Sequence, residues 1–274
     1  MYRIIAVDLD ETLLDDKKHV SAKDCQSAEQ LRKEGVKVVV TTGRGFWMAA
    51  DALRQLNLDG REGEYVISYN GGAITENKGN RVLDLHSFRY DKAKALFERI
   101  MQYPELCCHI YTFDRLYVYN SSGYERKKLA LMAPFTEIGP SIDFLKDEII
   151  MKVIYMYPDI EYLKGIAAQI TDLTNDLEVS YSSERYLEFN EKGIDKGQGL
   201  RNLARLLKVD IAETMAVGDS FNDLAMLEAA GLSVAVANCH PTLHGQVDVI
   251  LNSTNNEDPL TEICERFIKK HPEG

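Results

Sequence analysis

The stretch Ile4-Ile5-Ala6-Val7-Asp8-Leu9-Asp10-Glu11-Thr12-Leu13-Leu14 decides how the rest of the chain is read. Four apolar residues have the pattern of a short buried strand, and two carboxylates two residues apart stand where it ends. In an open parallel sheet that end is the rim at which ligands bind. Strand side chains alternate, so Asp8 and Asp10 share a face if the strand runs on, and a turn there lets both line one pocket. An isolated Asp-x-Asp is more often a solvated acidic turn, so the downstream chain has to separate the two readings.

Working outward, Ser21 predicts the cap of a helix over residues 22–34, with Gly35 as its stop. A strand over 36–40 runs into Thr41-Thr42-Gly43-Arg44, and a helical pattern covers 46–56. A third strand over 65–68 meets the tight-turn residues Asn70-Gly71-Gly72. This alternation predicts an α/β fold with a doubly wound, parallel, Rossmann-like sheet. Near residue 83 the rhythm changes. Helical segments at 92–101 and 160–173 alternate with strand pairs at 107–113 with 116–119 and at 179–181 with 186–189, and a further strand covers 149–157. That is an inserted α+β domain. After Gly193 the first pattern returns, with helices at 198–207, 223–230 and 260–268 and strands at 214–217 and 233–237. The expected organisation is a core of residues 1–83 and 189–274 split by an insert of 84–188.

Forty-three acidic against 32 basic residues give a formal charge of −11, which disfavours nucleic acid and anionic membranes as partners. A small anionic substrate remains compatible, because local Lys, Arg, metal and backbone N–H groups invert the field inside one cleft. The five cysteines are odd in number and scattered, without the spacing of a zinc or redox site, and read as free thiols. Four apolar residues before Asp8 are too few for a signal-peptide core, and no run approaches the ~18 residues of a membrane span. A cytoplasmic protein is expected; oligomeric state is not legible.

Phosphoryl transfer needs a nucleophile, a proton donor for the leaving oxygen, and positive charge around the phosphoryl group. Strand ends and helix starts supply each. Asp8 can attack phosphorus as a carboxylate, and Asp10 can protonate the leaving alkoxide and then activate water. Crowded carboxylates push one of their pKa values up, which predicts a protonated Asp10. They also demand a cation, and a hard oxygen site without clustered Cys or His points to Mg²⁺, with Asp8 and Asp219 as side-chain ligands and Asp223 supporting them from behind. Thr42 offers a hydroxyl and Gly43 a close N–H to phosphate, while Lys196 supplies a point charge that also steadies Asp8. Each motif alone has a bland alternative as a helix start, solvated charge or capping turn. Their joint order carries the reading.

In that order the sequence resembles the haloacid dehalogenase superfamily, and within it the Cof-type phosphatases, which carry a cap domain between the Thr and Lys motifs. The residues are Asp-Leu-Asp-Glu-Thr-Leu-Leu, Thr-Thr-Gly-Arg, Ser-Tyr-Asn-Gly-Gly, Gly-Ile-Asp-Lys-Gly and Gly-Asp-Ser-Phe-Asn-Asp, spread over essentially the whole chain. The resemblance implies the same roles for Asp8, Asp10, Thr42, Lys196 and Asp219. It adds a backbone-carbonyl metal contact from Asp10 and a phosphate contact from Asn222. It also implies an aspartyl-phosphate intermediate and a small phosphorylated metabolite, a sugar phosphate or phosphorylated cofactor, as substrate. Glu11 stands where the family more often has Gly, and Val236-Ala237-Asn238-Cys239 where it usually has Met-Gly-Asn-Ala, which leaves Asn238 without a role.

A phosphomutase uses the same intermediate, but those relatives usually carry a helical cap after the first motif, and the stretch between Asp10 and the second strand is too short for one. A receiver-type signalling domain would end a central strand of a much shorter chain with its phosphoacceptor. A non-catalytic phosphometabolite sensor is separated from an enzyme by turnover of an aryl phosphate. His240 reads as a helix-start residue, Cys107-Cys108 as packing and Arg126-Lys127-Lys128 as a solvated helix face; Trp47 is left unassigned.

Overall fold

The computed structural model, which describes residues 2–268, begins with β1 (Ile4–Asp8), buried at every position. A strand covered on both faces must be apolar nearly throughout, and Ile-Ile-Ala-Val satisfies that. The chain continues through the helix Ala22–Lys33 to β2 (Lys37–Thr41), through the helix Ala50–Gln55 to β3 (Tyr65–Ser68), and doubles back in β4 (Ala73–Glu76) and β5 (Arg81–Leu85). It then passes through the helix Tyr90–Ile100 and forms β6 (Cys107–Thr112), β7 (Leu116–Tyr119), β8 (Thr136–Ile138), β9 (Ile150–Met156), β10 (Leu177–Ser182) and β11 (Tyr186–Glu191), with helices Gly123–Met132, Ile160–Gln169 and Thr171–Thr174 between them. The last segment holds the helix Lys196–Leu207, β12 (Thr214–Gly218), the helix Leu224–Ala229, β13 (Leu232–Ala235), β14 (Val249–Ile250) and the helix Pro259–Ile263.

These strands make two sheets, ordered β14-β13-β12-β1-β2-β3-β4-β5 and β10-β11-β9-β6-β7-β8. The first is parallel from β14 to β3, as the strand and helix alternation predicts, and gains two antiparallel strands at one edge. The turn at Tyr69–Gly71 is too short for the crossover a parallel partner requires, so β4 runs back along β3.

The chain divides into two compact units, one running to Leu85 and resuming at Asp195, the other spanning His86–Ile194. The expected crossings, after residue 83 and before residue 189, each cut a strand and are corrected by its pairing. Leu85 is paired with Ala73, and Glu191 with Leu177. A strand leaving its unit early would forfeit ladder hydrogen bonds, so the divisions lie a few residues further along. Met1 and residues 269–274, part of the expected core, lie outside the described residues. The second unit has its own core, in which Phe97, Leu163 and Ile166 pack with Tyr155 and Phe189, whose rings meet edge-on at 4.9 Å. It also contains a buried ion pair, Lys152 Nζ to Glu188 Oε2 at 2.7 Å.

In the first unit, Asp195 caps the helix Lys196–Leu207 by accepting from Gln198 N–H at 2.7 Å, which makes Lys196 its first residue, two earlier than the apolar pattern predicts. The β3–β4 turn nests against that cap. Gly71 has φ +94°, and a Cβ there would collide with the Asp195 carbonyl. Gly71→Ala is expected to destabilise the protein by about 1–3 kcal/mol and to disturb Lys196 with it. An unchanged urea midpoint would show that the turn tolerates the side chain.

Candidate active site

Because β12, β1 and β2 are neighbours in a parallel sheet, their carboxyl ends open side by side, roughly 4.8 Å apart per strand. Asp8 ends β1, Thr42 follows β2, and Asp219 follows β12. Lys196, fully buried, reaches them from its helix: its Nζ donates to Asp8 Oδ1 at 2.5 Å and to Asp223 Oδ1 at 2.6 Å. Asp223 Oδ2 accepts the Asp219 and Ser220 N–H groups at 3.0 and 3.1 Å. Both Asp223 oxygens are therefore committed to holding the site together. Asp219 Oδ1 accepts the Thr12 hydroxyl at 2.8 Å.

The electrostatics of this cluster leave a deficit of positive charge. Burial lifts the Asp8 carboxyl well above its ordinary range; Lys196 opposes the lift, while Asp223, Asp219 and Asp10 add to it. Asp219 is raised to about 7, by burial first and the Asp223 charge second, against the Thr12 hydrogen bond and Lys196. Burial would lower Lys196, but Asp223 and Asp8 outweigh it and hold the ammonium charged. Oxygen atoms of Asp8, Asp219 and Asp223 lie within 4.8 Å of one another. Three buried carboxylates against one ammonium leave net negative charge, and the hard oxygens of Asp8 and Asp219, with Asp223 behind them, fit a small divalent cation.

Asp10 departs from expectation. Its carboxylate is outside that cluster, gripped by Arg44 through Nε at 2.7 Å and through Nη2, and by Lys18 Nζ at 3.1 Å. Burial pushes its pKa up, but Arg44 and Lys18 prevail and hold it below the ordinary value. The crowding that was to protonate Asp10 acts on Asp8 and Asp219 instead, because two cations reach Asp10 first. Thr42 is buried and its hydroxyl accepts the Arg44 N–H at 3.1 Å, whereas the neighbouring Thr41 lies within β2, paired with Asp8. Gly43 lies beneath the Asn70 side chain, where a Cβ would stand 2.8 Å from Asn70 Oδ1. Asn222 is held in its turn by the Ser220 hydroxyl at 2.8 Å. His240 caps a short turn through Nδ1, and its N–H donates to the Asp219 carbonyl at 2.7 Å.

Thr12, Arg44 and Lys18 were not singled out by the sequence reading. Thr12 and Arg44 stand inside the motifs it quoted, but their partners are too distant in sequence for spacing to reveal. Glu11 has φ +59°, a conformation that favours glycine, which accounts for the family's usual residue there.

The family of haloacid dehalogenase-like hydrolases matches residues 5–263. The chain belongs to that family. Its similarity to the Bacillus subtilis protein YxeH is 31% identity, covering 98% of this chain and 100% of that one. Phosphatase YwpJ of the same organism is 27% identical over 97% of this chain and 100% of its own. A solved haloacid dehalogenase-like hydrolase from B. subtilis superposes with a TM-score of 0.86 at 25% identity, covering 97% of this chain and 100% of that one.

For this hydrolase the raised Asp219 sets a pH dependence. Between its unfolded value near 3.8 and its folded value near 7 the folded state binds the extra proton, so this group's contribution to stability falls as pH rises through that window. A divalent cation competes with that proton. The gain in melting temperature on replacing EDTA by Mg²⁺ should be larger at about pH 8 than at about pH 5.5. An equal gain at both would uncouple the cation from these carboxylates.

Proposed function

We propose that this hydrolase is a Mg²⁺-dependent phosphomonoesterase of the cytoplasm, acting on small phosphorylated metabolites through an aspartyl-phosphate on Asp8. The observation that carries the reading is the buried Lys196 ammonium holding Asp8 Oδ1, which leaves Oδ2 of the same carboxylate to attack. Asp8 and Asp219, with the Asp10 backbone carbonyl, would hold the cation. When bound, it supplies charge that offsets the carboxylates and the phosphoryl oxygens.

In this reading the Asp8 carboxylate forms a bond to phosphorus as the phosphorus–ester oxygen bond breaks, and Asp10 gives its proton to the leaving alkoxide. Water then attacks the same phosphorus, loses a proton to the Asp10 carboxylate, and releases phosphate and Asp8. Thr42, the Gly43 N–H, Lys196 and Asn222 bind the phosphoryl oxygens. The second unit acts as the cap that discriminates among leaving groups. Named phosphatases among the relatives support hydrolysis over phosphomutation.

Asp8→Asn should abolish phosphate release, by at least about 10³-fold, while leaving the melting temperature close to that of the parent. Parent-like turnover by a folded variant would remove Asp8 as nucleophile. Chelation should silence the enzyme, Mg²⁺ should restore it, and Ca²⁺, which takes more ligands at longer distances, should bind without restoring it. Full turnover after exhaustive chelation would exclude the cation from the reaction.

A further inference from the structure

The loop after β13 touches both loops that carry the proposed chemistry. Asn238 Nδ2 donates to the Glu11 carbonyl at 2.8 Å, just after Asp10, and the His240 N–H donates to the Asp219 carbonyl at 2.7 Å. Asn238 does not act alone. Its Oδ1 accepts the Asn255 N–H at 2.8 Å, and Asn255 Nδ2 donates to the Leu14 carbonyl at 3.0 Å. The two asparagines thus grip both ends of the turn 11–14. Between those ends stands Thr12, whose hydroxyl fixes one oxygen of Asp219.

This turn needs holding. Glu11 sits at φ +59°, which an L side chain adopts only when its surroundings impose it. Asn255 is buried, and a lost partner there would strand a polar group, so the clamp is anchored from within the fold. Asn238 itself is exposed, so a change there alters the grip on Glu11 without opening the core.

We infer that Asn238 and Asn255 are positioning residues for the reaction: by clamping the turn 11–14 they set the orientation of Asp10 and, through Thr12, that of Asp219. The inference rests on the assignment of the reaction to Asp8, Asp10 and Asp219. It gives Asn238 the role its sequence context left open.

The test is Asn238→Asp, which keeps size and the acceptor for Asn255 but replaces the donor with an oxygen that repels the Glu11 carbonyl, with Asn238→Ala as a second variant. With p-nitrophenyl phosphate as probe, kcat should fall about tenfold with KM within about twofold of the parent, because a misplaced acid and ligand cost rate more than binding. The Mg²⁺ concentration for half-maximal activity should rise several-fold, a readout that a simple loss of folded protein would not move. Folded variants with parent kcat and parent Mg²⁺ dependence would overturn the inference, as would a kcat loss matched by an equal loss of folded fraction. Asp8→Asn measured alongside separates the two failures. An active Asp8→Asn overturns the site assignment and the inference with it, whereas an inactive one beside parent-like Asn238 variants overturns the clamp alone.

Discussion

The site depends on one buried ammonium. Lys196 Nζ stands between Asp8 and Asp223 with no exposure to solvent, and removing it would leave two buried carboxylates without their shared counter-charge. Asp223 in turn organises the loop after β12 by accepting two of its N–H groups, so the ammonium, the strand end and the loop are held as one unit. The helix cap at Asp195 and the close approach of Gly71 put Lys196 at the first helical position. A one-residue slip there would rotate the ammonium by about 100° around the helix axis, away from Asp8.

The same constraint explains the order of the chain. The first unit is interrupted after Leu85 and resumes at Asp195, so the chain returning from the second unit delivers Lys196 at its second residue. The interruption follows the antiparallel edge strand β5, far along the sheet order from β1, and leaves the β12-β1-β2 neighbourhood intact. The second unit buries its own aromatic and aliphatic core.

What the sequence made legible was local. Asp8, Thr42, Lys196 and Asp219 could be picked out because each ends a strand or opens a helix, and apolar periodicity marks those boundaries. The edge strands β4 and β5 escaped because Ala73–Glu76 and Arg81–Leu85 lack a clean alternation and owe their pairing to a tight turn. The helix Gly123–Met132 shows almost no amphipathic stripe, so in the sequence only the run Arg126-Lys127-Lys128 reads as a helix face and the bounds of the helix do not emerge. The pairing of Asp10 with Arg44 spans 34 residues and that of Asn238 with Glu11 spans 227, distances at which spacing carries no signal.

The two carboxylates of the opening stretch end in opposite environments, though they are two residues apart. Asp8 is raised by burial among other acids, while Arg44 and Lys18 hold Asp10 low. Two acids pushed apart in this way are suited to different roles. In the proposed reaction Asp8 must be ionised, which requires added positive charge, and Asp10 must hold a proton in the first step and lack one in the second. The Arg44 and Lys18 grip favours the ionised Asp10 of the second step. The grip on Asp10 therefore suits the second step of that proposed reaction better than the first.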